Sequence, residues 1–395
     1  MAKHNLADEL EDGALRNELF GPKAAAAVEQ PAFAHTYRMQ FTGNAPEYFR
    51  IWIVNLLLTL LTVGIYSAWA KVRKTRYFWQ NTRLDGAVFD YHGPPLAILR
   101  GRIIALILLI AYTWGADISL TAGYVVVVLL LLVGPWLFMK AQQFKFRNTS
   151  YRGLRFGFAG TAGVAYRRLL PLLFVWFAPT LLTLAFGFET TILAIGGLGT
   201  LLLWPWMHHA LKAYQHSFAS YGDQQFSFEP ASVEFYSVYT KGLALLIPAS
   251  LVGGVLLSVL IGTSSSNGDE GPSSVYFTLG GIASVLIIYT AVWPYLAARL
   301  QQVVWDQTQM PGARFTTNIE ALPLFRIVVK NIALTLLTCG LYWPFAAIAL
   351  ARYRIECFSV LTELPLSQIA CRVEAAPVDA AGEGAADLFG LDVGL

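Results

Sequence analysis

FRIWIVNLLLTLLTVGIY at residues 49–66 returns near the other end of the chain as FRIVVKNIALTLLTCGLY at residues 325–342. Eleven of the eighteen positions are identical at a constant offset of 276. Each copy is a single apolar segment that ends in a Thr-x-Gly interruption. A duplicated apolar segment of this length predicts two equivalent membrane-embedded elements near the two ends of the chain.

Basic residues flank both of these end segments. A single crossing would place one flank outside, although Lys and Arg are retained in cytoplasmic loops. A re-entrant helix–break–helix element over residues 49–69 and 325–345 resolves this conflict. The break would then lie near Thr62-Val63-Gly64 and Thr338-Cys339-Gly340. A thin full crossing stays open, because about 18 residues at 1.5 Å each could just span the hydrocarbon.

A polar stripe occurs in both end segments. Its residues are spaced by four and then three positions, so each trio shares one helical face. Such a stripe predicts either the lining of a solute pathway or hydrogen-bonding contacts between packed helices. The candidate pathway residues, with an Arg at each mouth, are Arg50, Asn55, Thr59 and Thr62, and Arg326, Asn331, Thr335 and Thr338.

The composition of the whole chain agrees with a membrane protein. Of its 395 residues, 56% are apolar and only 13% are charged. Soluble globular chains are about 45–50% apolar and about 25% charged. This balance excludes a soluble enzyme and a disordered scaffold, because neither can hide so much apolar surface.

Six further apolar stretches come as three pairs, each long enough to span a bilayer or nearly so. The predicted spans are 103–118 with 120–139, 169–186 with 191–207, and 243–261 with 275–295. None of the 28 Lys and Arg residues falls in the short connectors at 114–119, 187–190 and 262–274. This asymmetry predicts outward-facing connectors and cytosolic termini. We expect cytosolic tails at 1–36 and 372–395 and a membrane domain at 37–371.

A weaker repeat runs through the loops. An apolar segment ends five times in a small residue or Pro followed by an aromatic residue, and four times a Phe follows twenty positions later. The pairs are Ala68-Trp69, Pro135-Trp136, Pro205-Trp206, Pro294-Tyr295 and Pro344-Phe345, and the later residues are Phe89, Phe156, Phe226 and Phe315. Alternating aromatic residues around these Phe positions predict short strands. Several such strands could pair into a small cytosolic sheet.

Basic and aromatic residues alternate directly after the first end segment. This pattern allows nucleic-acid binding, but cytoplasmic retention and attraction to anionic lipid explain it more simply. The candidate headgroup-binding residues are Lys71, Arg73, Lys74 and Arg76. We therefore expect the lipid bilayer and anionic lipid headgroups as partners, and no nucleic acid; the oligomeric state stays open.

Motifs of enzyme chemistry are absent from the sequence, which contains no nucleophile elbow, zinc-protease helix or phosphate-binding loop. Three His residues near residue 210 lack a carboxylate or Cys to complete a metal site. We expect no catalytic residue, no metal and no cofactor. The expected fold is an all-α polytopic membrane protein, with internal repeats of helical hairpins and short cytosolic β-strands between them.

Several ordered motifs of this chain resemble the YjgN family of bacterial inner-membrane proteins. They are Phe41-Thr-Gly43, the run from Asn55 to Thr62, Gly64-Ile-Tyr66, Trp69-Ala-Lys71 and Asn81-Thr82, with internal copies at 148–158 and 325–353. The resemblance covers about residues 37–365 and implies a polytopic protein of the bacterial inner membrane. The function of that family is unknown, so the resemblance assigns no catalytic or binding residue.

Two functions remain open from the sequence. The first is a channel or transporter for a small solute, because paired interrupted helices often form a transport site. The second is a membrane organiser that does not transport and binds anionic lipid or a cytosolic partner through the basic-aromatic loops.

Overall fold

The computed structural model describes residues 33–187, 190–265 and 274–366. Most of the predicted tail at 1–36, and all of the tail at 372–395, lie outside the described residues, as does much of the third connector. His35 and Thr36, placed in the N-terminal tail by the sequence, begin a strand. In chain order the helices are α1 (Ala45–Leu61), α2 (Ser67–Gln80), α3 (Pro95–Ile118), α4 (Leu120–Arg147), α5 (Ala162–Phe186), α6 (Thr190–Ser217), α7 (Ser232–Ser265), α8 (Ser274–Asp306), α9 (Ala321–Leu337) and α10 (Trp343–Glu356).

Six long helices, α3 to α8, contain the six predicted spans. Within the described parts of the chain, α3, α4, α6, α7 and α8 are long and apolar enough to cross a membrane. The 25-residue helix α5 is not among them and carries Arg167 and Arg168 near its start. The sequence predicted six full spans, whereas five of the described helices are long and apolar enough to cross a membrane. Helices that follow each other in the chain pack together as α3 with α4, α5 with α6, and α7 with α8.

Each end segment consists of two shorter helices separated by a tight turn. Helix α1 ends at Leu61, and Val63 (φ 49°) and Gly64 (φ 89°) adopt the left-handed conformation that ends many helices. The hydroxyl of Thr62 accepts a hydrogen bond from the backbone N–H of Tyr66 at 2.9 Å. The turn from α9 to α10 has the same form at Cys339 and Gly340. The helix breaks therefore lie where the Thr-x-Gly sequences placed them.

Strands occupy the segments between the helix pairs. They are β1 (His35–Arg38), β2 (Gln40–Phe41), β3 (Thr82–Leu84), β4 (Ala87–Tyr91), β5 (Thr149–Tyr151), β6 (Leu154–Phe158), β7 (Ala219–Tyr221), β8 (Gln224–Gln225), β9 (Ser227–Phe228), β10 (Thr308–Met310), β11 (Ala313–Thr317) and β12 (Phe358–Thr362). The all-α class is thus corrected, because the structure has one sheet of seven strands and one of five. An isolated two-stranded hairpin is marginal in water, so each hairpin gains by pairing with the next.

Local chemistry explains where the helices stop and the strands turn. Asn81 and Thr82 donate side-chain hydrogen bonds to the carbonyls of Tyr77 and Phe78, both at 2.8 Å, and so satisfy the free end of α2. Asn148 and Thr149 do the same at the end of α4. The β3–β4 turn then passes through Asp85 and Gly86, with φ values of 48° and 73°. Positive φ at both central residues defines the hairpin turn that matches strand twist.

Each edge strand of one sheet continues along the chain into an edge strand of the other sheet. The two sheets therefore close into one ring, which we call the strand ring (β1 to β12). One sheet runs β1-β12-β11-β10-β9 and the other β2-β3-β4-β5-β6-β7-β8. Only Met39 separates β1 from β2, and its N–H donates to the carbonyl of Phe358 at 3.0 Å. Only Phe226 separates β8 from β9, and its N–H donates to the carbonyl of Ala219 at 2.9 Å. Closure leaves no long free strand edge.

Aromatic side chains fill the core next to the strand ring. Phe89 stacks on Tyr151 with ring centroids 4.7 Å apart, and Phe226 lies 5.5 Å from Phe315. These residues belong to one cluster that also contains Phe358 and Val360. The alternating aromatic residues of the sequence therefore form a packed core next to the strand ring.

Candidate functional site

A cleft of about 660 Å³ lies among the helices and reaches the strand ring. We call it the central cleft; α2, α4, α8, α9 and α10 supply most of its lining. It is lined by Lys71, Lys74, Thr75, Phe78, Trp79, Thr82, Tyr91, Lys145, Thr149, Tyr289, Trp293, Val328, Asn331, Ile332, Thr335, Leu336, Trp343, Ala346, Ala347, Leu350, Ala351, Arg354 and Ile355. Its volume lies in the range of small-molecule binding sites.

Cationic side chains from three helices meet in the central cleft. Helix α2 contributes Lys71 and Lys74, helix α4 contributes Lys145 and helix α10 contributes Arg354. No acidic residue lines the cleft in the described part of the chain. The lining residues of the cleft therefore carry a net positive charge, and charges near low-dielectric walls interact more strongly than in water.

Arg354 is held in place by a neighbouring helix. Its Nε donates to Oε1 of Gln301 at 2.7 Å, and Gln301 returns a hydrogen bond to the Arg354 carbonyl at 3.3 Å. Burial lowers the pKa of Arg354. An Arg pKa starts above about 12, so the guanidinium stays charged at neutral pH. The cleft thus has one fixed cation beside its lysines.

Apolar and aromatic residues form another part of the lining, which we call the apolar wall. Tyr289 and Trp293 come from α8, while Leu336 and Trp343 flank the turn between α9 and α10. Leu336 is 60% exposed and Trp343 is 55% exposed. The cleft is therefore amphipathic.

The second polar stripe contributes to the cleft. Asn331 is buried, and its side-chain N–H donates to the carbonyl of Ala346 at 3.3 Å. The hydroxyl of Thr335 donates to the carbonyl of Asn331 at 2.6 Å. Thr338 sits at the helix break, outside the lining, and bonds to the carbonyl of Leu334. The structure thus brings Asn331 and Thr335 together with Lys71 and Lys74.

The first polar stripe makes different contacts. Asn55 is buried and accepts a hydrogen bond from Arg73 at 3.5 Å. Thr59 and Thr62 donate to backbone carbonyls of their own helix, at 2.7 and 2.8 Å. None of the three lines the central cleft. The Thr residues of the two copies therefore make the same hydrogen bonds, whereas the Asn residues have different partners.

The remaining predicted residues lie outside the cleft. Arg50 and Arg326 are exposed and do not contribute to its lining. Arg73 stacks over the ring of Tyr66 at 5.4 Å, and Arg76 donates to the carbonyl of Tyr91 at 3.1 Å. Of the four candidate headgroup residues, only Lys71 and Lys74 therefore line the cleft.

Polar residues on the helices that return to the strand ring were not predicted. They lie six or nine positions after the aromatic residue of the repeated small–aromatic pairs. These residues are Gln142 and Lys145 on α4, Lys212 and Gln215 on α6, Gln301 on α8 and Arg354 on α10, and Gln142, Lys212, Gln215 and Gln301 are each less than a tenth exposed. The signal that could have found them is the fixed offset, since a spacing of three puts both positions on one helical face.

The three His residues near residue 210 serve packing. His208 pairs with the hydroxyl of Tyr239 at 2.8 Å, His209 accepts from the N–H of Ala231 at 3.1 Å, and His216 pairs with Thr308 at 2.9 Å. Within the ranges that the structure describes, no three His, Cys, Asp or Glu side chains form a group able to hold a metal ion.

The five long apolar helices define a polytopic membrane protein. The chain belongs to the YjgN family, because the family model described as "Bacterial protein of unknown function (DUF898)" matches residues 36–388 and the similar proteins carry that family's name. The chain is 25% identical to "Inner membrane protein YjgN" of Salmonella typhimurium over 353 residues, covering 81% of this chain and 87% of the relative. It is 33% identical to the protein of that name from Escherichia coli K12 over 125 residues, or 30% of each chain. No solved structure matches the chain.

Proposed function

We propose that this inner-membrane protein binds an anionic ligand in the central cleft. The convergence of Lys71, Lys74, Lys145 and Arg354 in a cleft without an acidic lining residue among those described carries the proposal. Hydrogen bonds between charged partners are roughly twice as strong as neutral ones. An anion is therefore the ligand charge that this lining stabilises. The proposal assigns binding and no catalytic step.

The proposal includes a membrane orientation with the strand ring in the cytosol. Both ends of the α1–α2 pair lie at the strand ring, because β2 precedes α1, β3 follows α2 and these strands pair. The same holds for α9 and α10, which lie between the paired strands β11 and β12. This geometry supports re-entrant end segments. The basic residues near the ring support its cytosolic position.

A further part of the proposal is a common origin of the five helix pairs. Each pair is preceded by strand residues and followed by another strand of the ring. The N-terminal segment β1–β2 and the C-terminal strand β12 pair with each other, as the two strands of a hairpin would. We propose that the chain is five copies of one strand–helix–helix unit, with the strands of one unit supplied by the two chain ends.

Solute transport is the second candidate function. Asn331 and Thr335, predicted as pathway residues, line the same cleft as the lysines and favour it. The aromatic core next to the strand ring opposes it, because Phe89, Tyr151, Phe226 and Phe315 would have to move before a solute could pass along the axis. Binding of an anion needs no such movement.

Replacement of the cleft lysines tests the proposed function. The full-length protein is purified in detergent, and binding of phosphatidylglycerol and of glycerol 3-phosphate is measured. We expect K71Q/K74Q/K145Q to weaken binding by at least about ten-fold, the loss of roughly one charge-assisted hydrogen bond. The control R50Q/R326Q removes two positive charges outside the cleft and should bind as the native chain does. Unchanged binding by the triple variant, or no binding of either probe by the native chain, contradicts the proposal.

A further inference from the structure

The two end segments are too short to reach across a membrane. Helices α1 and α9 have 17 residues each, about 25 Å, while α4 has 28 residues, about 42 Å. The hydrocarbon core is about 30 Å thick. In the proposed orientation, a pair of this length that starts at the strand ring therefore ends within the bilayer.

The turns of both short pairs are apolar and exposed. Leu61 is 79% exposed, Val63 is 93% exposed and Leu337 is 79% exposed. Such turns are stable among acyl chains and unfavourable in water. Helices α1 and α10 pack against each other, so the two short pairs are neighbours. The helices are therefore shorter on the side where the two short pairs lie.

The central cleft opens toward the side where the two short pairs lie. Leu336 and Trp343 border the turn of the second short pair and also line the cleft. Tyr289 and Trp293 continue this apolar wall on α8, and Tyr289 is 44% exposed. A molecule among the acyl chains can therefore reach the cleft sideways, without passing through water.

The polarity of the cleft follows the polarity of one bilayer leaflet. On the helices that return to the strand ring, the repeated aromatic position is Trp69, Trp136, Tyr295 or Phe345, and such residues mark the membrane interface. Lys71, Lys74, Lys145 and Arg354 all follow this position, toward the strand ring. Of the apolar lining residues, Tyr289, Trp293 and Trp343 precede it, toward the acyl chains, while Phe78, Trp79, Leu350 and Ile355 follow it.

The depth of the cleft also fits one leaflet. Trp343 and Arg354 are eleven positions apart on α10, a rise of about 16 Å. Half of a hydrocarbon core of about 30 Å is about 15 Å. Resting on the proposed function, we infer that the ligand is a phospholipid with an anionic headgroup, which enters sideways from the cytosolic leaflet over the two short helix pairs. Its phosphate lies among the cations and its acyl chains lie along the apolar wall.

A comparison of whole lipid with isolated headgroup tests this inference. The full-length protein in detergent is offered phosphatidylglycerol, phosphatidylcholine and glycerol 3-phosphate, and bound ligand is counted by native mass spectrometry. We expect phosphatidylglycerol to bind at least about ten-fold more tightly than either other probe, because only it combines a net negative headgroup with acyl chains. Equal binding of glycerol 3-phosphate would overturn the lipid assignment and leave the anion site intact.

Variants in the apolar wall separate the two proposals further. Ala347→Phe fills the cleft from α10, and Ile332→Trp narrows it from α9; two positions guard against a folding defect in one. Ala333→Phe, on the exposed side of α9, is the matched control. We expect both cleft variants to lose phosphatidylglycerol by about ten-fold and the control to keep it. Retained lipid binding in both cleft variants overturns the sideways path. Loss in K71Q/K74Q/K145Q alone would then still support the anion site.

Discussion

Val63 is a β-branched residue in a backbone conformation that favours Gly. Its φ is 49°, its side chain is 93% exposed, and no packing compensates for the strain. The left-handed conformation costs roughly 1–2 kcal/mol for a residue with a Cβ. We expect Val63→Gly to raise the free energy of unfolding in detergent by about 1 kcal/mol, measured by thermal denaturation. Ile65→Gly, in the same turn but without a positive φ, should lower it. A loss of stability in V63G would contradict this.

The Thr residues of the polar stripe stabilise the helix breaks. Thr62 and Thr338 each accept a backbone N–H across the break, at 2.9 and 3.0 Å. We expect Thr62→Val to lower the free energy of unfolding by about 1 kcal/mol, the usual contribution of one such bond. Binding of phosphatidylglycerol should not change, because Thr62 lies outside the cleft. If Thr62→Val instead weakened phosphatidylglycerol binding at unchanged stability, Thr62 would act as a pathway residue.

The different contacts of the duplicated Asn residues could not be read from their own segments. Asn55 and Asn331 lie in nearly identical sequences. Arg73, which donates to Asn55, has Ala349 as its counterpart at the offset of 276. Asn331 instead donates to a backbone carbonyl. The partner lies on another helix, so an equivalence drawn from one segment misses it.

At the level of single elements, local sequence predicted much of what the structure contains. The Thr-x-Gly sequences predicted the breaks, since Gly64 and Gly340 supply the positive φ that ends a helix. Alternating aromatic residues predicted the strands that contain Phe89, Phe156 and Phe228. The cleft was not predicted, because its cations come from three helices and meet only after these helices pack. The sequence pattern of a single helix does not indicate which cations of other helices will lie beside it.

The orientation of the helix pairs is open to a direct measurement. In a chain with all three Cys residues replaced by Ser, single Cys residues are placed at Asp117 and at Arg83, both exposed. We expect an impermeant thiol reagent to label D117C in intact cells, because the proposed orientation places the connector after α3 outside. R83C should react only after the cells are permeabilised. Labelling of R83C in intact cells would mean that the first end segment crosses the membrane fully.

The whole molecule depends on pairing between its two ends. Strand β12 pairs with β1 along four residues and with β11 along five. We expect a stop after Glu356, which removes β12, to give a protein that is digested rapidly in limited proteolysis, because both sheet edges then lack partners. A stop after Leu366 keeps all the described strands and should resist digestion as the full chain does. Equal resistance of the two truncated chains would contradict a closed ring.

Ring closure was beyond what the sequence could predict. Local patterns report that a strand exists, but its partner is set by the packing of the whole chain. Residues 35–38 and 359–362 pair although more than three hundred residues separate them. The helix pairs between them hold these strands at one end of the molecule, and only their combined arrangement brings β1 beside β12.

The pairing of β1 with β12 also determines when the strand ring can close during synthesis of the protein. The N-terminal strand leaves the ribosome about 320 residues before its partner, which at 5–20 residues per second is roughly 16 to 64 seconds. The helices can insert one pair at a time during that interval, while β1 waits without β12, its strand partner in the described sheet. Nascent chains are therefore exposed to proteases and chaperones until β12 is translated, and this last of the described strands completes the strand ring.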